Sequence, residues 1–347
     1  MRTIDWDYTN NTIIMIDQTL LPREKRVIEC RTIDSLCEAI KSLRVRGAPA
    51  LGAAGGFGVA LAAHISNATT LAGITHEIET AGKTISATRP TAVNLSWGVN
   101  RVIGVIEEAK NTREARMFAL DEARLIADED VAKNRQLGEH GAKLLEDGDT
   151  VMTHCNAGKM ACVDRGTALG VIRSAVEHGK DIRVISCETR PLNQGSRITA
   201  WELMEDKIPV TLITDSMSGH VMRKGMVDKV IVGADRITQD AVFNKIGTYT
   251  HSVIAKEHGI PFYVAAPVST FDFEQFEEDI EIELRSPDEL RFFGNYQIAP
   301  LEVDVYNPAF DATPMENVSA LITENGVYYP PFLLDEVKIK ALAGLVP

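Results

Sequence analysis

The chain has 347 residues, with 36 lysines and arginines set against 49 aspartates and glutamates, a formal charge of −13. That excess of negative charge repels polyphosphate backbones, which excludes nucleic acid as the main partner. A composition of 45% hydrophobic and 24% charged residues excludes a disordered or fibrous chain.

Five cysteines (Cys30, Cys37, Cys155, Cys162 and Cys187) are too few and too odd in number for a disulfide framework, which predicts a reducing, cytoplasmic setting. No apolar run reads as reaching the roughly 18 residues that span a bilayer, and "MRTIDWDYTN" lacks a cationic start followed by an apolar core, so no membrane segment is expected. The length predicts two domains of unequal size. The first, over 1–145, reads as a short β-rich start and then a helical domain.

In chain order, Leu36, Ala39, Ile40 and Leu43 fall at helical spacing and predict a helix over 34–44. It ends at "RGAP", where Gly47 and Pro49 stop one helix and permit another. "ALGAAGGFGVALAAH" reads as a helix packed tightly on a neighbour, because small residues let two backbones approach; each interior glycine costs about 1 kcal/mol, which the packing has to offset. Helices are also expected over 75–87, 95–110 and 113–145.

After Gly148 short apolar runs alternate with amphipathic stretches, the signature of βαβ units and a parallel sheet. Strands are predicted at Thr150–His154, Ile182–Glu188, Pro209–Thr214, Asp228–Asp235 and Pro261–Ala266. The fold class is therefore α/β: a mostly helical N-terminal domain and, over 146–347, a C-terminal domain with a parallel sheet. The proline-bearing tail segments "NPAFDATP" and "YYPPF" are expected to wrap the surface or a partner subunit.

Polar or turn-forming residues follow every predicted strand: "CNAG", "TRPLNQG", "DSMSG", then "R" with "NKIGT", then "P". The carboxyl ends of parallel strands share one edge, where helix N-termini present unpaired amides. Cys155 and Asp235 would therefore converge there with Arg190, Gln194 and Lys245, while Arg46 beside a helix start and Arg89 are further anion-binding candidates. A thiol and a carboxylate in one crevice can exchange protons without a metal, on a small phosphorylated metabolite.

Each residue also has a plain reading. Asp235 can cap the next helix, Cys155 can be a buried small hydrophobe, and His154 can be a hydrogen-bonded residue at a strand end. His154, Cys155, Cys162 and Cys187 show no zinc-ligand spacing, and "GAAGGFG" is not a dinucleotide fingerprint, so neither a metal nor a nucleotide cofactor is expected.

The segments "RGAPALGAAGG", "THCNAG", "CETRPLNQGSRITAWEL", "DSM", "VGADRI", "NKIGTY", "PFYVAAP" and "NPAFDATP" together resemble methylthioribose-1-phosphate isomerase. That methionine-salvage family is related to regulatory subunits of a translation-initiation exchange factor, and the matches run from about Arg46 to Tyr328. The resemblance implies a cytoplasmic homodimer whose second domain is Rossmann-like and catalytic. It implies conversion of 5-methylthioribose 1-phosphate, or the similar 5-deoxyribose 1-phosphate, to the 1-phosphorylated ketose.

Carried over by motif, Asp235 would donate a proton to the ring oxygen and Cys155 would act across C1 and C2. Arg46, the amides of Gly47 and Ala48, Arg89, Gln194, Asn244 and Lys245 would bind the substrate. Burial is expected to keep Asp235 protonated, and strand alternation to turn Arg236 away from it. Two departures stand out: "KMACVDR" brings Lys159, Asp164 and Arg165 close behind the thiol, and "TQDAVF" follows "GADRI". The alternatives are isomerisation of ribose 1,5-bisphosphate, with those cations on the second phosphate, or a non-catalytic regulatory subunit; the plain reading of the cations is a solvated helix face.

Overall fold

The structure, a computed structural model, describes residues 1–90, 92–335 and 337–338. The chain forms two compact units, Met1–Asn134 with Gly158–Gly166, and Arg135–Ala157 with Thr167 onward. This division differs from the expected boundary at 145: the change of unit falls inside a helix, and residues 158–166 return to the first unit.

In the first unit β1 (Ile4–Asp7), β2 (Thr12–Ile16) and β3 (Val27–Cys30) form an antiparallel sheet in that order. Helix α1 (Ile33–Lys41) starts on a capping box in which Thr32 and Ser35 satisfy each other's amides. Then come α2 (Ala48–Ile65), α3 (Leu71–Ser86), α4 (Val93–Ile106) and α5 (Thr112–Gly141). Helix α2 is buried from Ala50 to Ala63 on every side, so it carries no polar stripe. Close approach to α4 requires glycine on both helices: a Cβ on Gly55 would stand 2.4 Å from the Leu95 carbonyl oxygen, and one on Gly98 of α4 would stand 2.0 Å from the Gly52 carbonyl oxygen. By length and composition α2 could cross a membrane, contrary to the expectation above, but most of it lies inside this unit's core.

The second unit begins its sheet with β4 (Thr150–Thr153) and continues through α6 (Ala168–Glu177), β5 (Arg183–Cys187), α7 (Ala200–Glu205), β6 (Val210–Ile213), α8 (Ser218–Arg223) and β7 (Lys229–Val232). There follow β8 (Arg236–Ile237), β9 (Ala241–Lys245), α9 (Thr248–Glu257), β10 (Phe262–Ala265) and α10 (Asp288–Arg291). The tail adds the hairpin β11 (Phe292–Phe293) and β12 (Tyr296–Gln297), then β13 (Phe310–Pro314), β14 (Ala320–Thr323) and β15 (Gly326–Tyr328).

Among the described residues the main sheet has seven strands in the order β15-β14-β10-β7-β4-β5-β6, all parallel except β15. All five predicted strands are present. The tail differs from expectation: "NPAFDATP" does not wrap the surface but supplies β13, which pairs antiparallel with β9 beside β8, and β14 and β15 complete the main sheet. Pro314 lies at the last position of β13, where a missing amide costs little.

The topology decides where chemistry can occur. From β4 the chain adds β5 and β6 on one side, then returns to place β7 and β10 on the other. The strand order therefore reverses between β4 and β7, and in open α/β sheets ligands bind outside the carboxyl ends of the strands at such a switch point.

Candidate active site

Cys155 and Asp235 follow the two strands that flank the switch point. The pairing of Val151 with Lys229 and Met152 with Val230, carried three residues further, brings Cys155 level with Gly233. A Cβ on Gly233 would meet the Ala157 methyl at 2.7 Å, so only glycine lets these two strand exits pass each other. This is why the β7 run ends in Gly-Ala before its charged pair.

The β4 exit is tightly held. Cys155 adopts φ 65°, a left-handed conformation that costs a non-glycine residue of order 1–3 kcal/mol and persists only where its surroundings enforce it. Its amide donates to Thr189 Oγ1 (2.8 Å) and its carbonyl accepts from Thr199 Oγ1 (2.6 Å). Asn156 Nδ2 donates to Thr199 Oγ1 and to Glu202 Oε1 (3.1 and 3.0 Å), and Arg173 caps the buried Glu202 at 2.8 Å. Asp215, from the turn after β6, accepts the amides of Thr189 and Arg190, each at 2.7 Å. Thr189 itself has φ 69°. In this same shell Gln194 is 5% exposed, and its Oε1 has no hydrogen-bond partner among the described residues.

His154 links this exit to the "NKIGT" turn. Its Nε2 lies 2.8 Å from the Ile246 carbonyl oxygen, which can only accept, so Nε2 carries the proton and Nδ1 presents its lone pair inward to His251 Nε2 at 3.2 Å. Burial pushes both imidazoles down, His154 to about 4 and His251 to about 3, so both are neutral at physiological pH. In the turn, Asn244 Nδ2 donates to Thr248 Oγ1 (3.0 Å), and Lys245 Nζ donates to the Ala309 carbonyl (2.8 Å) over the Phe310 ring. Asp311 accepts the amides of Gly247 and Tyr249 at the start of α9; burial nonetheless lifts its carboxyl to about 6.

The β7 exit differs from expectation. Asp235 is exposed, because β7 ends at Val232 and three more residues carry the carboxyl beyond the apolar strand. Its amide donates to the Phe243 carbonyl (2.8 Å). The Arg236 guanidinium is engaged elsewhere, with Gln275 Oε1 at 2.8 Å and Asp272 at 3.4 Å.

In the helical unit Gly47 (φ 89°) is the N-cap of α2 and makes no side-chain cap hydrogen bond. Arg46 lies just before that cap and Arg89 just after α3, both half-buried. Lys159, Asp164 and Arg165 are not on a solvated helix face: a single 3₁₀ turn, Lys159–Ala161, and a loop closed by the Gly158–Gly166 bridge hold them half-buried.

Residues 44–330 match the model of the initiation factor 2 subunit family. The chain belongs to that family. Within it, a Methanosarcina acetivorans protein provisionally named a methylthioribose-1-phosphate isomerase is 67% identical over 98% of this chain and 97% of its own. A solved 5-methylthioribose 1-phosphate isomerase from Pyrococcus horikoshii superimposes with a TM-score of 0.93 at 43% identity, covering 98% of this chain and 96% of that one. A solved A. fulgidus chain described as translation initiation factor eIF-2B subunit delta gives 0.91 at 59% identity, covering 98% and 99%. Membership in the initiation factor 2 subunit family thus spans named isomerases and a named initiation-factor subunit.

For this family member, sequence reading missed the residues that hold the site together. Thr189, Thr199 and Glu202 sat inside the quoted "CETRPLNQGSRITAWEL", but nothing in their spacing announces that they grip the Cys155 loop. His251 pairs with a residue 97 positions away, and its only local signal is a polar side chain on a buried helix face. Asp215 was visible as the polar residue after a strand; its use as a double acceptor was not.

Proposed function

We propose that this protein is an aldose–ketose isomerase that converts 5-methylthioribose 1-phosphate to 5-methylthioribulose 1-phosphate. One observation carries the reading: a thiol and a carboxyl follow the two adjacent parallel strands of the switch point, in a chain whose full-length relatives are named for that reaction. The anomeric phosphate locks the sugar ring, so the ring has to open before a carbonyl can move. On this reading Asp235 protonates the ring oxygen as the C1–O bond breaks. The hydrogen on C2 then passes to C1 at the edge facing Cys155, and the proton leaving the C2 hydroxyl restores Asp235, with no net gain or loss of atoms.

Gln194, Asn244 and Lys245 are proposed as substrate contacts, and the unpartnered Gln194 oxygen is a hydrogen-bond acceptor suited to a sugar hydroxyl. Arg46, the amides of Gly47 and Ala48, and Arg89 are proposed as substrate contacts of the helical unit. The exposure of Asp235 means that bound sugar itself would have to exclude water from the acid. A purely regulatory subunit gives no physical reason to hold Cys155 in a strained backbone conformation.

The test is a coupled assay of the purified protein with methylthioribose 1-phosphate, 5-deoxyribose 1-phosphate and ribose 1,5-bisphosphate. Turnover of the first that disappears in Cys155→Ser and in Asp235→Asn supports the proposal. Turnover of the bisphosphate alone, or no turnover with stable binding to an initiation factor, overturns it. We further propose a cytoplasmic homodimer: edge strand β6 leaves Thr211 and Leu212 exposed, a surface that a second copy can cover. A monomer mass by light scattering would contradict it.

A further inference from the structure

We propose that His154, Cys187, Asp215 and His251 form a metal site for a zinc-class divalent cation, one that ties the ends of β4 and β5 and the turn after β6 to helix α9. Residues spread over nearly a hundred positions come together there, each offering one donor atom, and all four atoms lie within 4.8 Å of one another. Three of the four side chains are buried and Asp215 is partly open, which leaves a way in for an ion.

The spacing suits a tetrahedral ion. With metal–nitrogen and metal–oxygen bonds of about 2.0–2.2 Å, ligand atoms on a tetrahedron stand about 3.3–3.6 Å apart. His154 Nδ1 lies 3.2 Å from His251 Nε2 and 3.7 Å from Asp215 Oδ1. The widest pair needs to close by on the order of 1 Å to meet the same ion.

Two further features favour a ligand over a bare hydrogen-bonded pair. His154 is already tethered through Nε2–H to the Ile246 carbonyl, the second contact that metal-bound imidazoles make to fix the ring and its tautomer. The donor set also balances charge. A thiolate on Cys187 and the Asp215 carboxylate neutralise a divalent ion, with two neutral imidazoles completing four ligands, so an electrically neutral cluster is buried. Binding releases one proton, from the Cys187 thiol, to solvent.

Two nitrogens, one thiolate and one carboxylate suit zinc, and cobalt(II) is its spectroscopic substitute. Four protein ligands leave no open position, the pattern of a structural ion. None of the four residues is assigned to substrate, and metal binding is read without turnover, although Asp215 also holds the Thr189 turn that supports Cys155.

The experiment titrates cobalt(II) into full-length protein stripped of metal, alongside zinc analysis of protein purified without chelator. Expected are one equivalent of tightly bound metal, the intense visible bands of tetrahedral cobalt, and a near-ultraviolet thiolate-to-cobalt band. Cys187→Ser should remove the thiolate band, and His251→Gln should weaken binding about 100-fold or more. His251→Gln serves as the independent variant should Cys187→Ser fail to fold. Absence of tetrahedral bands at saturating cobalt overturns the proposal, as do bands that persist unchanged in either folded variant, which would put the ion on other thiols.

Discussion

Strands β4 and β7 lie side by side, yet their carboxyl ends are built in opposite ways. The β4 exit is a strained turn gripped from other segments: the Cys155 backbone by the Thr189 and Thr199 hydroxyls, the Asn156 side chain by Glu202, and the supporting Thr189 amide in turn by Asp215. The β7 exit carries an exposed carboxyl on a chain held by ladder contacts to β9. A group that has to face C1 and C2 with fixed geometry benefits from preorganisation. A group that delivers a proton to a ring oxygen tolerates more freedom, since the bound sugar defines its position.

The largest expected effects break the two exits chemically while separating them structurally. Cys155→Ser and Asp235→Asn should each lower kcat by about 10³-fold or more. Asp235→Asn should leave stability within about 0.5 kcal/mol of wild type, because an exposed side chain is being exchanged. A cooperative loss of stability in Asp235→Asn, read by chemical denaturation, would show that the open exit is structurally braced after all.

Next in size is Asp215→Ala. It removes the acceptor of two backbone amides, which should cost roughly 2–3 kcal/mol, and it frees the Thr189 turn on which the Cys155 amide depends. A positioning role predicts that kcat falls about 10–100-fold while KM changes little. Asp215→Asn, with one carbonyl oxygen, should restore part of both. A change in KM alone would make Asp215 a binding residue instead.

How much of this was legible in the sequence follows from the range of each signal. The strands were, because runs such as Val230-Ile231-Val232 between charged residues are local and short. The placement of Cys155 and Asp235 after neighbouring parallel strands was too, since parallel strands put their exits on one edge. The burial of Asp235 was misjudged because the apolar run was read through to the acid, whereas the strand stops at Val232. "NPAFDATP" was read by its prolines, although its interior alternates well enough to pair with β9. The His154–His251 contact and the double acceptor Asp215 depend on tertiary placement and have no local period to detect.

A smaller effect tests how far the grip on the β4 exit extends along the chain. The segment that follows it, 158–166, is held within the helical unit partly by Val163, whose amide donates to Asp130 Oδ2 at 2.7 Å. Burial, outweighing that bond, carries the Asp130 carboxyl up to about 6. A raised folded-state value means that the native protein binds the proton more tightly than the unfolded chain. The associated stability is complete below about pH 4 and is lost as pH rises through about 6. Asp130→Asn should therefore remove up to roughly 2 kcal/mol of the wild-type decline between pH 4 and 7. Parallel pH profiles of wild type and variant in denaturant would count against this.

The smallest expected effect concerns the neighbour of the acid. Arg236 is bonded to Gln275 and Asp272, a partly exposed arrangement worth at most about 1 kcal/mol. Those contacts direct the guanidinium to the 272–275 segment, even though Arg236 is adjacent to Asp235 in sequence. Arg236→Met should thus leave kcat within about twofold in steady-state assays. A fall in kcat of about tenfold or more would mean that the pair acts as one electrostatic group, and the open β7 exit would then be tuned by its own neighbour rather than by the sugar that covers it.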